Sequence, residues 1–364
     1  MEQPQVKQSP VKHSYMKRTH MKQDHKKDAH RKHIHNQHSR RHHNHHNISC
    51  FVQTRPQIAQ ALWDTLWQTY RDRVPYARQY ETMILEAEGT VANDHIAFRT
   101  LGMGIEGARG VTRLGIAYLE PLIQWLGYEQ AGEYHFPDRH LYARHYRHPQ
   151  QDEFNLPKLF ISELLVDELP PAIAAHIYNT VNTGRFFSLA DWPPYQRQTQ
   201  SALSQPLELS RRELEALVEV FSRPWQPPRK QVVEAVNAVS QYGAWVLLHG
   251  YAVNHFTGFI NCQNTSKYPD IASTVEGLKA RGVPMKPTLE GSFDSGLQQI
   301  TTKAVTEPVW VITEDGWPDE ITWSYAYYEL AQRHLVTTPT GETTLFEGFI
   351  GPQAKHLFEM TKVT

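Results

Sequence analysis

The chain writes one plan twice. A histidine opens a short apolar segment in NDHIAFRTL (93–101) and again in VNHFTGFI (253–260). A glutamate sits inside an alternating segment in LFISELLVDEL (159–169) and again in WSYAYYELAQR (323–333). His95 and Glu163 stand 68 residues apart, and His255 and Glu329 stand 74 apart. A helical stretch follows each histidine segment, and shorter strand-like segments lead to each glutamate. The order is β-α-β-β-β in both halves, which predicts an α+β fold built from two such modules paired into a barrel or curved sheet. Set face to face, they would aim imidazoles and carboxylates into one cavity. Two histidines and one carboxylate with open positions are the ligand set of a mononuclear non-haem iron(II) centre.

Around that plan the chain is uneven. Residues 1–46 hold eleven Lys/Arg, three Asp/Glu and eleven of the 21 histidines, which leaves 26 Lys/Arg against 35 Asp/Glu in the rest. The body is thus acidic, which speaks against nucleic acid as its main ligand. Residues 1–53 carry too few apolar side chains to offset the entropy of ordering and are expected to be a disordered, His/Lys-rich tail. Such a tail has either a metal- or nucleic-acid-touching role or none. Cys50 and Cys262 are the two cysteines, so no disulfide framework is implied and a reducing, cytoplasmic setting fits. There is no apolar run of bilayer length and no signal-peptide pattern, so no membrane partner is expected. The sequence does not fix the oligomeric state.

Residues 54–364 read as one catalytic domain. Its first module spans about 90–169, a helical insertion about 170–228, and the second module about 229–364. Helices are expected over RPQIAQALWDTLWQTYRDRVP, which has Ile58, Leu62, Leu66 and Tyr70 at helical spacing, and over YARQYETMILEAEG. They are also expected over GVTRLGIAYLEPLIQWLG, over RKQVVEAVNAVSQYGAWVLLHGYA as one piece, and over YPDIASTVEGLKARG. In the insertion, Ser210 followed by Glu213 is a capping-box pattern. ITWSYAYYELAQRH reads as one long last strand, and TTLFEGFIGPQAKHLFEMT as closing with a short helix.

His95, His255 and Glu329 meet the needs of an iron(II) site if the modules share a cavity. Glu163 is the symmetry-related fourth candidate, either ligand or second-layer acceptor. With four protein ligands the site suits a glyoxalase-like isomerase or lyase; with three it leaves room for a bidentate substrate and O2. Taken singly, each residue also has a structural reading: a strand histidine can simply be hydrogen-bonded, and Glu329 can pair with Arg333. Arg99 follows His95 by an even number of strand positions, on the same face and roughly 13 Å along. It is placed either to clamp a substrate carboxylate or to form a surface ion pair. Gln299 and Arg333 are further second-layer candidates. His249 reads as a structural helix-end residue, and His140, His145 and His148 as solvent-facing.

DHIAFRT, PKLFISELLVDEL, HGYAVNHFTGF and YYELAQR, in that order, resemble the 2-oxoadipate dioxygenase/decarboxylase family from about residue 56 onward. YYELAQR followed by FEGFIGPQAKHLFEM also resembles the end of 4-hydroxyphenylpyruvate dioxygenase. The resemblance implies a vicinal-oxygen-chelate-like core with Fe(2+) held by His95, His255 and Glu329, and a substrate carboxylate on Arg99. It implies oxidative decarboxylation of 2-oxoadipate to 2-hydroxyglutarate with O2, in lysine breakdown. The tail has no counterpart in the resemblance, and the helical insertion and the far end of the pocket are where selection of another 2-oxo acid would be made. The alternatives are a metal-dependent isomerase or lyase of the same fold and a non-enzymatic metal-binding protein.

Overall fold

Strand pairing gives the doubled plan a register. A computed structural model describes residues 50–107, 110–197, 205–338 and 340–349. Eight strands form one curled sheet. In chain order they are β1 (Asn93–Gly102), β2 (Glu129–Phe136), β3 (Leu141–Arg147) and β4 (Lys158–Leu165). The second half adds β5 (Val253–Phe259), β6 (Glu290–Ser292), β7 (Leu297–Thr301) and β8 (Glu329–Arg333). Their spatial order is β6-β7-β8-β5-β1-β4-β3-β2. Each half therefore repeats one topology, with its first strand parallel to its last (β1 to β4, β5 to β8) and the middle pair antiparallel outward. The halves meet edge to edge through antiparallel β1 and β5, not face to face as expected. The shared cavity comes from the curl of one continuous sheet.

The main helices are α1 (Arg55–Arg73), α2 (Pro75–Glu86), α3 (Ile116–Trp125) and α4 (Pro171–Val181). They continue with α5 (Arg211–Val220), α6 (Lys230–Val239), α7 (Gln241–His249) and α8 (Ile271–Ala280). α1 starts at a capping box formed by Thr54 and Gln57, which satisfies two of the backbone donors a helix start leaves open. Its buried face sets Trp63 and Trp67 against the sheet, where Trp67 meets Phe256 of β5 at 5.1 Å and Trp63 meets Phe98 of β1 at 6.3 Å between ring centroids. Because side chains alternate along a strand, Ile96 and Phe98 face this core and His95, Ala97 and Arg99 face the other way. α7 lies at one end of that second face: Tyr242 Oη meets Ser162 Oγ at 2.8 Å and accepts from the Thr100 N–H.

Several boundaries differ from expectation for local reasons. The expected disorder through residue 53 stops earlier, because Cys50–Gln53 pairs with Leu207–Ser210; residues 1–49 lie outside the described residues. The helix expected from Gly110 begins at Ile116, since Gly110–Arg113 forms a hairpin with Gly104–Gly107. The helix expected across residues 229–252 is two, because Ser240 takes an extended backbone and caps α7 through the Gly243 N–H. The expected long last strand is broken: Pro318–Ser324 pairs with Thr306–Ile312 in a separate hairpin. The four residues that follow, Tyr325 to Tyr328, are all buried, which an alternating strand with one wet face does not allow. The Ser210–Glu213 capping box is present. Thr343–Leu345 is a strand, and the expected closing helix lies outside the described residues.

Gly250, which ends α7, has φ +64, and a Cβ there would fall 2.3 Å from Arg223 Cα. Neither feature can relax by side-chain movement. Gly250→Ala is therefore expected to destabilise the fold by about 2 kcal/mol or more, seen as a lowered Tm in thermal unfolding; an unchanged Tm would contradict the packing described.

Candidate metal centre

The central strand pair sets the site. His95 lies opposite Thr257, and Ala97 lies opposite His255, so each histidine pairs with the residue two beyond the other. Glu329 of β8 pairs with Thr257, which carries its carboxylate to the same place. His95 Nε2 lies 3.3 Å from Glu329 Oε1 and 3.4 Å from His255 Nε2, and His255 Nε2 lies 3.7 Å from Glu329 Oε2. Three donors each about 2.1 Å from one ion stand roughly 3.0–3.6 Å apart at angles of 90–120°. The two His95 contacts fall in that range, and the His255–Glu329 contact, made to the other carboxylate oxygen, lies just outside it, so the donors would draw in slightly around an ion. Glu329 is fully buried, and its Oε2 has no hydrogen-bond partner among the described residues, an arrangement that calls for a cation.

The residue before each histidine orients it. Asp94 Oδ2 meets His95 Nδ1 at 2.8 Å and Asn254 Oδ1 meets His255 Nδ1 at 3.1 Å. Each oxygen accepts the Nδ1 proton, which leaves Nε2 as the free lone pair, as metal-binding histidines require. Arg333 grips Asp94 through two bonds of 2.6 and 2.8 Å. Burial works against the charge of Asp94, but Arg333 and His95 outweigh it and hold the carboxyl well below the usual carboxylate range. Burial also opposes charge on His95, yet Asp94 and Glu329 raise its pKa. Burial, then His95 and Arg99, push His255 well down, so it stays a neutral donor. Gln299 Nε2 donates to Glu329 Oε1 at 2.6 Å, and Thr257 Oγ1 touches both His95 and Glu329.

A cavity of about 460 Å³, counting its mouth, opens over the triad. His95, Arg99, Phe160, Tyr327 and Phe349 are among its walls. Tyr327 stacks on His255 at 4.8 Å, and Phe349 meets His95 edge-on at 4.8 Å. Arg99 is 2% exposed, which removes the surface ion-pair reading; its guanidinium lies 5.1 and 5.2 Å from the Tyr242 and Trp245 rings. Arg333 also donates to the carbonyls of Phe346 and Gly348, and Lys158 pairs with Glu347 at 2.9 Å. The strap carrying Phe349 is thereby tied to the same residue that fixes Asp94.

The structure brings His95, His255, Arg99 and Gln299 to one cavity, with Glu329 buried against the two histidines and Arg333 behind Asp94. It does not bring Glu163. That carboxylate points to the opposite face, where it accepts the Ile116 N–H at the start of α3 at 2.8 Å, and burial raises its pKa. The register shows why it is neither ligand nor second-layer acceptor. Glu329 pairs with the residue two beyond His255, and the matching partner of Ala97, two beyond His95, is Phe160. The fourth ligand position of a symmetric site is thus filled by an apolar ring. Arg333 pairs with Asp94, not with Glu329. His145 and His148 are buried, not solvent-facing: His145 meets Tyr134 Oη at 2.9 Å, and burial with Arg333 and Lys158 lowers its pKa to about 4. His249 is a helix-end residue that donates from Nε2 to the Ser324 carbonyl. Asp94, Asn254, Tyr327 and Phe349 were not anticipated. For the first two a signal was present, since a hydrogen-bonding residue precedes each histidine in NDH and VNH.

A family model described as 2-oxoadipate dioxygenase/decarboxylase matches residues 53–357. A rice (Oryza sativa subsp. japonica) 2-oxoadipate dioxygenase/decarboxylase, named as chloroplastic/amyloplastic, is 28% identical over 198 residues, 52% of this chain and 46% of the relative. The matched stretch thus spans about half the length of that relative. A solved structure described as a glyoxalase superfamily protein from Ralstonia eutropha JMP134 is 25% identical with a TM-score of 0.68, covering 82% of this chain and 88% of that one. Hydroxyglutarate synthase from Oryza sativa, solved in complex with 2-oxoadipate, shares the fold at 24% identity and a TM-score of 0.64, over 84% and 93% of the two chains.

Asp94→Asn and Glu163→Gln separate the two faces. Asp94→Asn is expected to weaken metal binding by about 10–100-fold, whereas Glu163→Gln leaves it unchanged. Binding is read as the excess over a His255→Ala baseline, which removes the contribution of the histidine-rich residues 1–46. A loss in Glu163→Gln would contradict its placement.

Proposed function

We propose that this chain, which belongs to the 2-oxoadipate dioxygenase/decarboxylase family, is an iron(II) dioxygenase. In this reading it converts 2-oxoadipate and O2 to 2-hydroxyglutarate and CO2, a step of lysine breakdown. The observation that carries the reading is the buried triad of His95, His255 and Glu329, whose donor atoms lie within 4.8 Å of one another, on a cavity that also holds a buried arginine. Two imidazoles and one carboxylate with open positions are the donor set of non-haem iron(II) oxygenases. When bound, iron(II) would supply the oxygen activation that couples loss of CO2 to hydroxylation.

The chain's own residues would do the rest. Arg99 stands on the cavity face of β1, four residues beyond His95, and burial lowers its pKa. An incoming carboxylate would bring an opposite charge to that buried guanidinium, so Arg99 would clamp the far end of a dicarboxylic 2-oxo acid through two parallel N–H bonds and measure its length. Phe160 and Phe349 would exclude water around the reacting end. Asp94 and Asn254 would hold both Nε2 lone pairs toward the ion, and Gln299 would orient the Glu329 carboxylate. Phe160 at the fourth ligand position favours the oxygenase over an isomerase or lyase, which would need a further protein ligand there. The chain's two cysteines suit a reducing compartment such as the cytoplasm.

The test is anaerobic reconstitution with iron(II), then oxygen uptake, CO2 release and 2-hydroxyglutarate formation on adding 2-oxoadipate. One equivalent of each is expected, with activity falling to background in His95→Ala, His255→Ala and Glu329→Ala. Arg99→Met is expected to raise KM for 2-oxoadipate more than it lowers kcat. Turnover on another 2-oxo acid alone would keep the chemistry and overturn the substrate; turnover surviving the three ligand substitutions would overturn the site.

A further inference from the structure

Beside the triad stand three buried acceptor atoms that lack a donor. Glu290 of β6 lies directly opposite Gln299 of β7. Residues opposite each other in an antiparallel pair project to the same face, with Cβ atoms about 5 Å apart. Gln299 uses its Nε2 on Glu329. Its Oε1 and both carboxylate oxygens of Glu290 are buried, with no hydrogen-bond partner among the described residues. Glu290 is only 9% exposed.

These atoms pose a definite problem. An amide is nearly symmetric in shape, so packing alone does not tell its nitrogen from its oxygen. Were Gln299 to flip, its oxygen would face the Glu329 carboxylate, acceptor against acceptor. A donor on the Oε1 side would forbid the flip. An ionised carboxylate offers acceptors only, whereas a carboxylic acid offers one O–H. Buried acceptors left unmatched are costly, and a proton on Glu290 would relieve two of the three at once.

We propose that Glu290 is held as the carboxylic acid and donates its O–H to Gln299 Oε1, locking the amide with Nε2 toward the ligand Glu329. It acts as a positioning residue, two side chains removed from the ion. Among the described residues, the charged and titratable groups that act on it or that it acts on are Glu329 on β8, Tyr327 just before β8 and Lys286 in the segment before β6. Burial, then the charge of Glu329, push the Glu290 carboxyl up to about 7, while Lys286 pulls the other way. The inference rests on the metal-centre reading.

The test titrates iron(II) anaerobically into the full chain and its variants, again as the excess over His255→Ala. Glu290→Met removes the donor and is expected to weaken binding about tenfold, while Glu290→Gln, whose amide N–H replaces the acid proton, stays within about twofold. Gln299→Leu is expected to lose as much as Glu290→Met, and the double variant no more than either, since both act through one bond. Circular dichroism and Tm confirm that each variant is folded, and Glu290→Ala, which also removes the donor, carries the test with the same expected loss if Glu290→Met does not fold. Equal losses in Glu290→Gln and Glu290→Met would mean that an ionised carboxylate is what matters, and would overturn the proposal. So would wild-type affinity in Glu290→Met. Wild-type protein that binds no more iron(II) than His255→Ala would overturn the metal-centre reading itself.

Discussion

The antiparallel pairing of β1 with β5 is the contact on which the site depends. It joins two copies of one module edge to edge and sets His95 opposite Thr257 and Ala97 opposite His255. A slip of one residue would turn every side chain of a strand to the other face, sending a histidine into the core and an isoleucine or phenylalanine into the cavity. The apolar side guards against that slip. Ile96 and Phe98 on β1 and Phe256 on β5 are buried against α1 and its neighbours, so the same hydrophobic pattern that folds the sheet also fixes the register of the two histidines.

A second constraint comes from Arg333. Its ion pair with Asp94 leaves both side chains with no exposed surface. Breaking such a pair from one side costs about 3–5 kcal/mol, because the remaining charge is stranded. Here the pair links β8 to the start of β1, sets the tautomer of His95 through Asp94, and holds the carbonyls of Phe346 and Gly348. Stability and site geometry therefore draw on the same side chain. The two halves diverge at this layer: Asp94 with its arginine supports His95, and the neutral Asn254 supports His255. The divergence extends to Phe160, which stands where the repeat would place a second glutamate.

Much of this was legible in the sequence. Histidine and glutamate recur at matching points of a repeated element order, and the period-2 pattern of HIAFR placed Arg99 on the same face as His95. Glu163 was misplaced because spacing along the chain cannot count register. It lies on the last strand of its module, as Glu329 does, but its pairing with Thr100 puts it five residues beyond His95, whereas Glu329 pairs two residues beyond His255. The odd offset reverses its face. His145 looked solvent-facing in a basic stretch, yet Phe349, more than 200 residues later, covers it. Contacts of that kind, like Arg333 with Asp94, arise only once the sheet has curled. Glu290 gave no signal at all, since its role is defined by a cross-strand neighbour.

The central claim is that one ion binds where the two modules meet. Anomalous diffraction at the iron edge, on crystals of the full chain loaded anaerobically with iron(II), tests it most directly. A peak is expected bonded to His95 Nε2, His255 Nε2 and the Glu329 carboxylate, with Phe160 close by and no fourth protein ligand. A peak that includes Glu163, or none at the triad while the loaded protein turns over, would contradict it.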